Sequence, residues 1–383
     1  MTQPDRSAAV ENDTSSQPRP RKPSRRRFLL GGLGAFGALI VGWGFLPPRQ
    51  RLQSSIPMTR KNGEAQLNGW LKIGADGIVT LAMPRSEMGQ GVHTSLAMLA
   101  AEELDVPLAM MRVETAPHDS IYGNLVTLPD GLPFHPDDDG MLKSSVQWLT
   151  VKLSRELGLQ ITGGSSSVRD AWLPIRQAGA SARAMLVAAA ARQWGVAPAE
   201  CTTGDGMVRF GRGNAVQSLS YGALAAKALA EGAPSSVALK QPGQFKLIGT
   251  QAPRTDSADK SSGKAVFGID VRPAGLQYAA VLMSPTVGGK IARIDDSAAI
   301  KLPGVLRIVD FSRDVGELGA AGVAVIGLTY WQARMGAAAL KITWDAGPNA
   351  AVDSAAVAAQ LKDALDTKNA YVYYERGEIS QPA

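Results

Sequence analysis

The chain has 383 residues, of which 45% are hydrophobic and 19% charged, enough for two or three domains with cores of their own. Its net charge of +6 is concentrated at one end: residues 1–60 carry ten Lys or Arg against three acidic residues, leaving thirty basic and thirty-one acidic residues beyond. That balance excludes a nucleic-acid surface on the folded part. A single cysteine, Cys201, excludes an intrachain disulfide and a Cys-ligated zinc or iron–sulfur centre.

Residues 1–48 read as a leader. Up to residue 23 it is rich in Ser, Pro and Arg and reads as disordered. "SRRRFLLGGLGAFGALIVGWGFLPP" follows, with Arg25 and Arg26 ahead of Phe28 and Leu29, in the pattern of a twin-arginine export signal. Residues 28–46 are just long enough to span a bilayer, and no clear cleavage site follows. The expectation is export to the periplasm, with 28–46 able to anchor the chain in the inner membrane.

After a linker at 49–65, "NGWLKIGADGIVTLAMP" predicts a hairpin turning at Asp76-Gly77. "EMGQGVHT" (87–94) leads into a helix over 93–104, with Leu96, Leu99, Ala100 and Glu103 at helical spacing. His93 is read as a helix-capping residue, and Met83, Met88 and Met98 as core. "MRVETAP" is a strand, 123–141 a long loop, and 144–157 a helix. A strand in "LQIT" then meets a Gly-Gly-Ser-Ser-Ser turn and an alanine-rich helix, broken near Pro174. A hairpin at Asp205-Gly206 and a helix capped by Ser220 follow. Past a compositional shift at 235–250, strands are predicted at 265–270, 276–283, 290–294, 305–309 and 323–328. A helix over 329–339 and a strand ending at Trp344 complete an α+β module. The tail, 346–383, is partly helical.

Two stretches raise a question of chemistry. Gly89 and Gly91 flank Gln90 at the mouth of a helix, and Gly163, Gly164, Ser165, Ser166 and Ser167 precede another. Helix N-termini offer free N–H groups and partial positive charge to anions, and glycine lets a ligand approach the main chain. A strand-to-helix turn and a solvated capping turn are the plainer alternatives. A serine hydrolase does not fit, for there is no G-x-S-x-G elbow.

In order, "MGQGVHT" (88–94), "TGGSSSVRDAW" (162–172), "RQAGASAR" (176–183) and "RTDSADKSSGKAVFGIDV" with the strands after it resemble the molybdopterin-binding large subunits of the xanthine dehydrogenase/aldehyde oxidase family. Within that family the chain is most similar to the exported branch of isoquinoline 1-oxidoreductase β subunits and membrane-bound aldehyde dehydrogenases. The resemblance implies an α+β fold: the first part of a molybdopterin-binding domain at 66–235, an a/b hammerhead domain at 250–345, and the start of a further domain at 346–383. It implies that Gln90 gives its amide to the pterin or to the oxygen on molybdenum, and that 163–167 offer donors to a pyrophosphate. The implied cofactor is molybdopterin as its cytosine dinucleotide, with molybdenum held by dithiolene sulfurs and no protein metal ligand.

The implied activity is hydroxylation of an N-heterocycle or oxidation of an aldehyde, a small-molecule substrate in either case. Electrons would leave through [2Fe-2S] clusters on an iron–sulfur small subunit, with a cytochrome c subunit as a further partner. The family's catalytic glutamate lies in a G-x-G-E setting near the end of a longer chain. Glu375 and Glu378 lack that setting and Glu87 lies in a different motif, so no catalytic base is named. The expectation is either a second chain supplying the C-terminal half or a non-catalytic truncated fragment serving as an interaction module.

Overall fold

The hairpin expected around Asp76-Gly77 is the start of a four-stranded sheet in the computed structural model. The structure describes residues 51–61, 63–312, 321–365 and 371; the leader with Arg25 and Arg26, Glu375 and Glu378 lie outside them. Strands β1 (Ala65–Gln66), β2 (Leu71–Ile73) and β3 (Val79–Met83) are antiparallel neighbours. Leu71, Ile73, Val79 and Leu81 are fully buried, and Gly77 makes the turn at φ +84°.

Helix α1 (Val92–Leu104) carries the chain from β3 to β4 (Met111–Thr115), which pairs parallel to β3 with Val79 opposite Met111. This is a β-α-β crossover, and it leaves residues 84–91 at the carboxyl end of the parallel pair. That is where open α/β sheets hold their ligands.

Helix α2 (Met141–Leu157) begins three residues before the expected start. Residues 159–161 form no strand: their carbonyls are taken singly, Leu159 by the Asn124 N–H at 2.8 Å and Ile161 by Asn124 Nδ2 at 3.0 Å. Helix α3 (Ser167–Trp194) runs unbroken through Pro174, against the expected break. Proline has no N–H for the Asp170 carbonyl four residues back, and Arg51 Nη1 donates to that carbonyl at 3.4 Å instead. Helix α3 crosses α1 closely at Gly179, where a Cβ would meet Glu103 Cβ at 2.9 Å and the Ala100 carbonyl at 3.0 Å.

A meander of β5 (Cys201–Gly204), β6 (Met207–Phe210) and β7 (Gln217–Ser220) turns at Asp205 and Gly206, both left-handed. Ser220 Oγ caps α4 (Tyr221–Ala228) by accepting from the Ala223 N–H at 3.2 Å. Cys201 is half-buried against this core.

The chain divides into two compact units between Ala258 and Asp259. In the second, β8 (Tyr278–Met283), β10 (Val305–Asp310) and β11 (Gly322–Gly327) form one antiparallel sheet, and β9 (Lys290–Asp295) pairs with β12 (Lys341–Asp345). Helix α5 (Tyr330–Ala339), capped by Thr329, buries Ala333 and Ala337 against Ala280 and Val325. Helix α6 (Ser354–Asp363) follows. The strand expected at 265–270 is absent; the Phe267 N–H donates to Asp270 Oδ2 at 3.0 Å and closes a short helical turn.

Candidate functional site

The glutamine loop is held from within by Glu87. Glu87 Oε1 accepts from the N–H groups of Gly89 and Gly91, each at 2.9 Å, and Oε2 from the His93 N–H at 3.1 Å. Burial alone would raise its pKa, but the N–H groups of Gly91, His93 and Gly89, and then Arg254, outweigh that and hold the carboxyl below its ordinary range. A carboxylate of the chain itself therefore fills the N-terminus of α1. The cap position is Gly91, at φ +81°. His93 is the second residue of the helix, and its ring bonds the Arg85 carbonyl through Nε2 at 3.1 Å rather than capping.

Gln90 turns its amide back on the loop: Oε1 accepts from the Met88 N–H at 2.6 Å and Nε2 donates to the Ser86 carbonyl at 2.9 Å. One N–H and one lone pair of the amide are left over. Gly89 and Gly91 face open space on the side where a Cβ would stand. Met88 is 69% exposed, not core; Met83 is buried as expected, and Met98 is half-buried.

The serine turn lies against this loop. The Ser86 N–H donates to Thr162 Oγ1 at 2.9 Å, and a cavity of about 300 Å³ opens between Met88, Gln90, Ser95, Gly163, Ser165 and Ser167. Gly164 and Ser165 are both left-handed, at φ +59° and +52°. No side chain caps the first turn of α3, so its N–H groups remain available to an anion, unlike those of α1. The Ser165 and Ser167 hydroxyls have no protein partner among the described residues. Ser166 differs: it is fully buried, donates to the Gly163 carbonyl at 2.6 Å and accepts from Asn124 Nδ2 at 2.6 Å. It shapes the turn and does not face the cavity.

Beneath both loops is a buried ionic hub that the sequence did not announce. The Asp170 carboxylate takes Arg51 at 3.0 and 3.1 Å, Arg85 Nη2 and the Leu125 N–H. Arg51 also donates to the carbonyls of Ile121 and Gly123, both at 2.7 Å, and Arg85 to that of Tyr122 at 3.1 Å. Residue 51, read as linker, is thereby tied to the start of α3. The only sequence signal was an acidic residue in the first turn of a long helix.

The donor set suits part of a phosphorylated cofactor. Open glycine faces, free hydroxyls and an uncapped helix N-terminus recognise anions and polar ring edges, not a bare metal ion. The cavity volume stands at the lower end of ligand sites, about 300–1,000 Å³, so it would take one portion of a dinucleotide and not the whole.

Comparison with known proteins points the same way. Residues 34–127 match the family model of the molybdopterin cofactor-binding domain. Over 349 residues the chain is 31% identical to the isoquinoline 1-oxidoreductase subunit β of Brevundimonas diminuta, covering 82% of this chain and 40% of that one. It is 29% identical over 360 residues to the membrane-bound aldehyde dehydrogenase (pyrroloquinoline-quinone) of Gluconacetobacter polyoxogenes, covering 91% of this chain and 41% of that one. The chain thus spans about two-fifths of the length of these relatives. A crystal structure of quinoline 2-oxidoreductase from Pseudomonas putida 86 overlaps 26% of this chain and 16% of its own, at 21% identity and a TM-score of 0.22, too little to carry an argument. Residues 34–127 thus carry the match to the molybdopterin cofactor-binding domain, and the relatives found are of the large-subunit kind that the sequence resembles.

Proposed function

We propose that this chain is the molybdenum-cofactor-binding part of an oxidoreductase that hydroxylates an N-heterocycle or oxidises an aldehyde. The observation that carries it is the meeting of two loops about seventy residues apart, 88–91 and 162–168, on one cavity fitted for anions. Bound molybdopterin would supply two-electron redox chemistry. The Ser165 and Ser167 hydroxyls and the first N–H groups of α3 would take a pyrophosphate of the cytosine dinucleotide form. Gly89 and Gly91 let the cofactor close on the main chain, and Gln90 offers its remaining N–H.

With one cysteine the chain cannot ligate a [2Fe-2S] cluster, so electron exit needs an iron–sulfur partner, with a cytochrome c subunit beyond it. The hammerhead reading of the second unit rests on the resemblance of stretches between 254 and 311. The leader supports export to the periplasm and anchoring through 28–46; among the described residues no helix is long and apolar enough to cross a membrane.

The test compares dye reduction by cell envelopes given an aldehyde or an N-heterocycle, with the gene intact and deleted, after growth on molybdate or on tungstate. The reading expects activity only with the gene and molybdate. Activity indifferent to both overturns it.

A further inference from the structure

We propose that Arg254 and Glu87 form a clamp that sets residues 86–91 in the shape that presents Gln90; its relevance to the cofactor rests on the reading above. Arg254 Nη1 donates to the Gly89 carbonyl at 2.6 Å and Nη2 to Glu87 Oε1 at 3.2 Å. The same guanidinium is steadied by Asp256, at 3.0 and 2.9 Å. Beside it the Thr255 N–H donates to Thr94 Oγ1 at 3.0 Å, fixing the segment to the first turns of α1.

The clamp answers a physical need. Gly89 and Gly91 sit at φ +103° and +81° with open space beside them, so neither side-chain packing nor backbone sterics restricts the loop. Its order must come from hydrogen bonds. Glu87 accepts three from inside, and Arg254 donates to the Gly89 carbonyl, which a carboxylate cannot serve. The planar fork of arginine serves two acceptors at once, which a lysine ammonium does in looser geometry. Arg254 lies four residues before the boundary at Ala258, so the segment leading into the second unit holds the loop of the first. Arg254 is a positioning residue: it acts through Gly89 and Glu87 on Gln90.

Hydrogen exchange by mass spectrometry on the full chain tests it, comparing wild type with Arg254→Ala, Arg254→Lys, Glu87→Gln and a control, Arg192→Ala, which removes an exposed ion pair with Glu231. Amides in the 86–94 peptide should exchange about tenfold or more faster in Arg254→Ala, which loses both charge-assisted bonds to the loop. Arg254→Lys should recover part of the protection, Glu87→Gln should lose protection, and the control should match wild type. Unchanged exchange in 86–94 in a folded Arg254→Ala overturns the clamp. If that variant melts globally, wild-type exchange in Arg254→Lys overturns it. Molybdenum per chain, read in parallel on protein from the native host, should fall in Arg254→Ala. Absence of molybdenum from the wild type would remove the cofactor reading, while the exchange result would still decide the clamp.

Discussion

Arg51 grips both carboxylate oxygens of Asp170, 119 residues away, at 3.0 and 3.1 Å, and also reaches the Asp170 carbonyl. With Arg85 on the same carboxylate, one acidic side chain, 1% exposed, compensates two guanidinium groups. Removing one partner of a buried ion pair strands the others and costs about 3–5 kcal/mol. Asp170→Ala should therefore lower unfolding stability by that order in urea titration. A loss below about 1 kcal/mol would mean that the hub is dispensable.

The serine turn divides into a buried and an open part, and two substitutions separate them. Ser166→Ala leaves one of the two Asn124 amide N–H groups without its acceptor in the interior, the other keeping the Ile161 carbonyl, at a cost of about 1–3 kcal/mol. Ser165→Ala should leave thermal stability within about 0.5 kcal/mol while lowering molybdenum retained per chain. Equal effects of the two on melting temperature would contradict the division.

At Gly179, Val in place of Gly would press on Glu103 and on the Ala100 carbonyl, where a Cβ already stands within 3.0 Å. Overpacking of this kind costs about 1–3 kcal/mol. The melting temperature should fall, and Leu173→Ala, at a half-exposed position of the same helix, should change it little.

Acid should unfold the chain through its paired carboxylates. Burial would raise Glu87, Glu102, Asp105 and Asp119, yet hydrogen bonds and cations hold all four below their ordinary values, Asp119 at about 2 against 3.8. For Glu102 the opposing groups are Lys240 and then the N–H groups of Leu247, Ile248 and Lys246. A depressed folded pKa means that the unfolded state binds more protons, so this stability is complete above the unfolded values and is lost as pH falls. Denaturant midpoints should stay level from neutrality to about pH 5.5 and decline steadily towards pH 2. Asp119→Asn should weaken the chain at pH 7 and flatten the decline by about 2 kcal/mol. A midpoint that rises on acidification would contradict the assignment.

Local pattern made much of the fold legible. Apolar periodicity marked α1, Asp76-Gly77 and Asp205-Gly206 marked two hairpins, and Ser220 marked a cap, because each signal lies within a few residues of what it controls. What stayed hidden depends on distant partners. Pro174 reads as a break until Arg51 satisfies the carbonyl it frees. The glycines around Gln90 suggest an anion at α1 until Glu87 is seen filling that N-terminus, which moves the open anion position to α3. "RTD" at 254–256 resembles the opening of the second domain, while its arginine and threonine bond residues of the first.

The measurement that bears most directly on the account is the molybdenum and acid-released cytidine monophosphate per chain of native protein from molybdate-replete cells. The account predicts close to one of each, falling together when Ser165 and Ser167 are both replaced by alanine. Protein carrying neither would contradict it and leave the cavity between Gln90 and Ser165 without the ligand assigned to it.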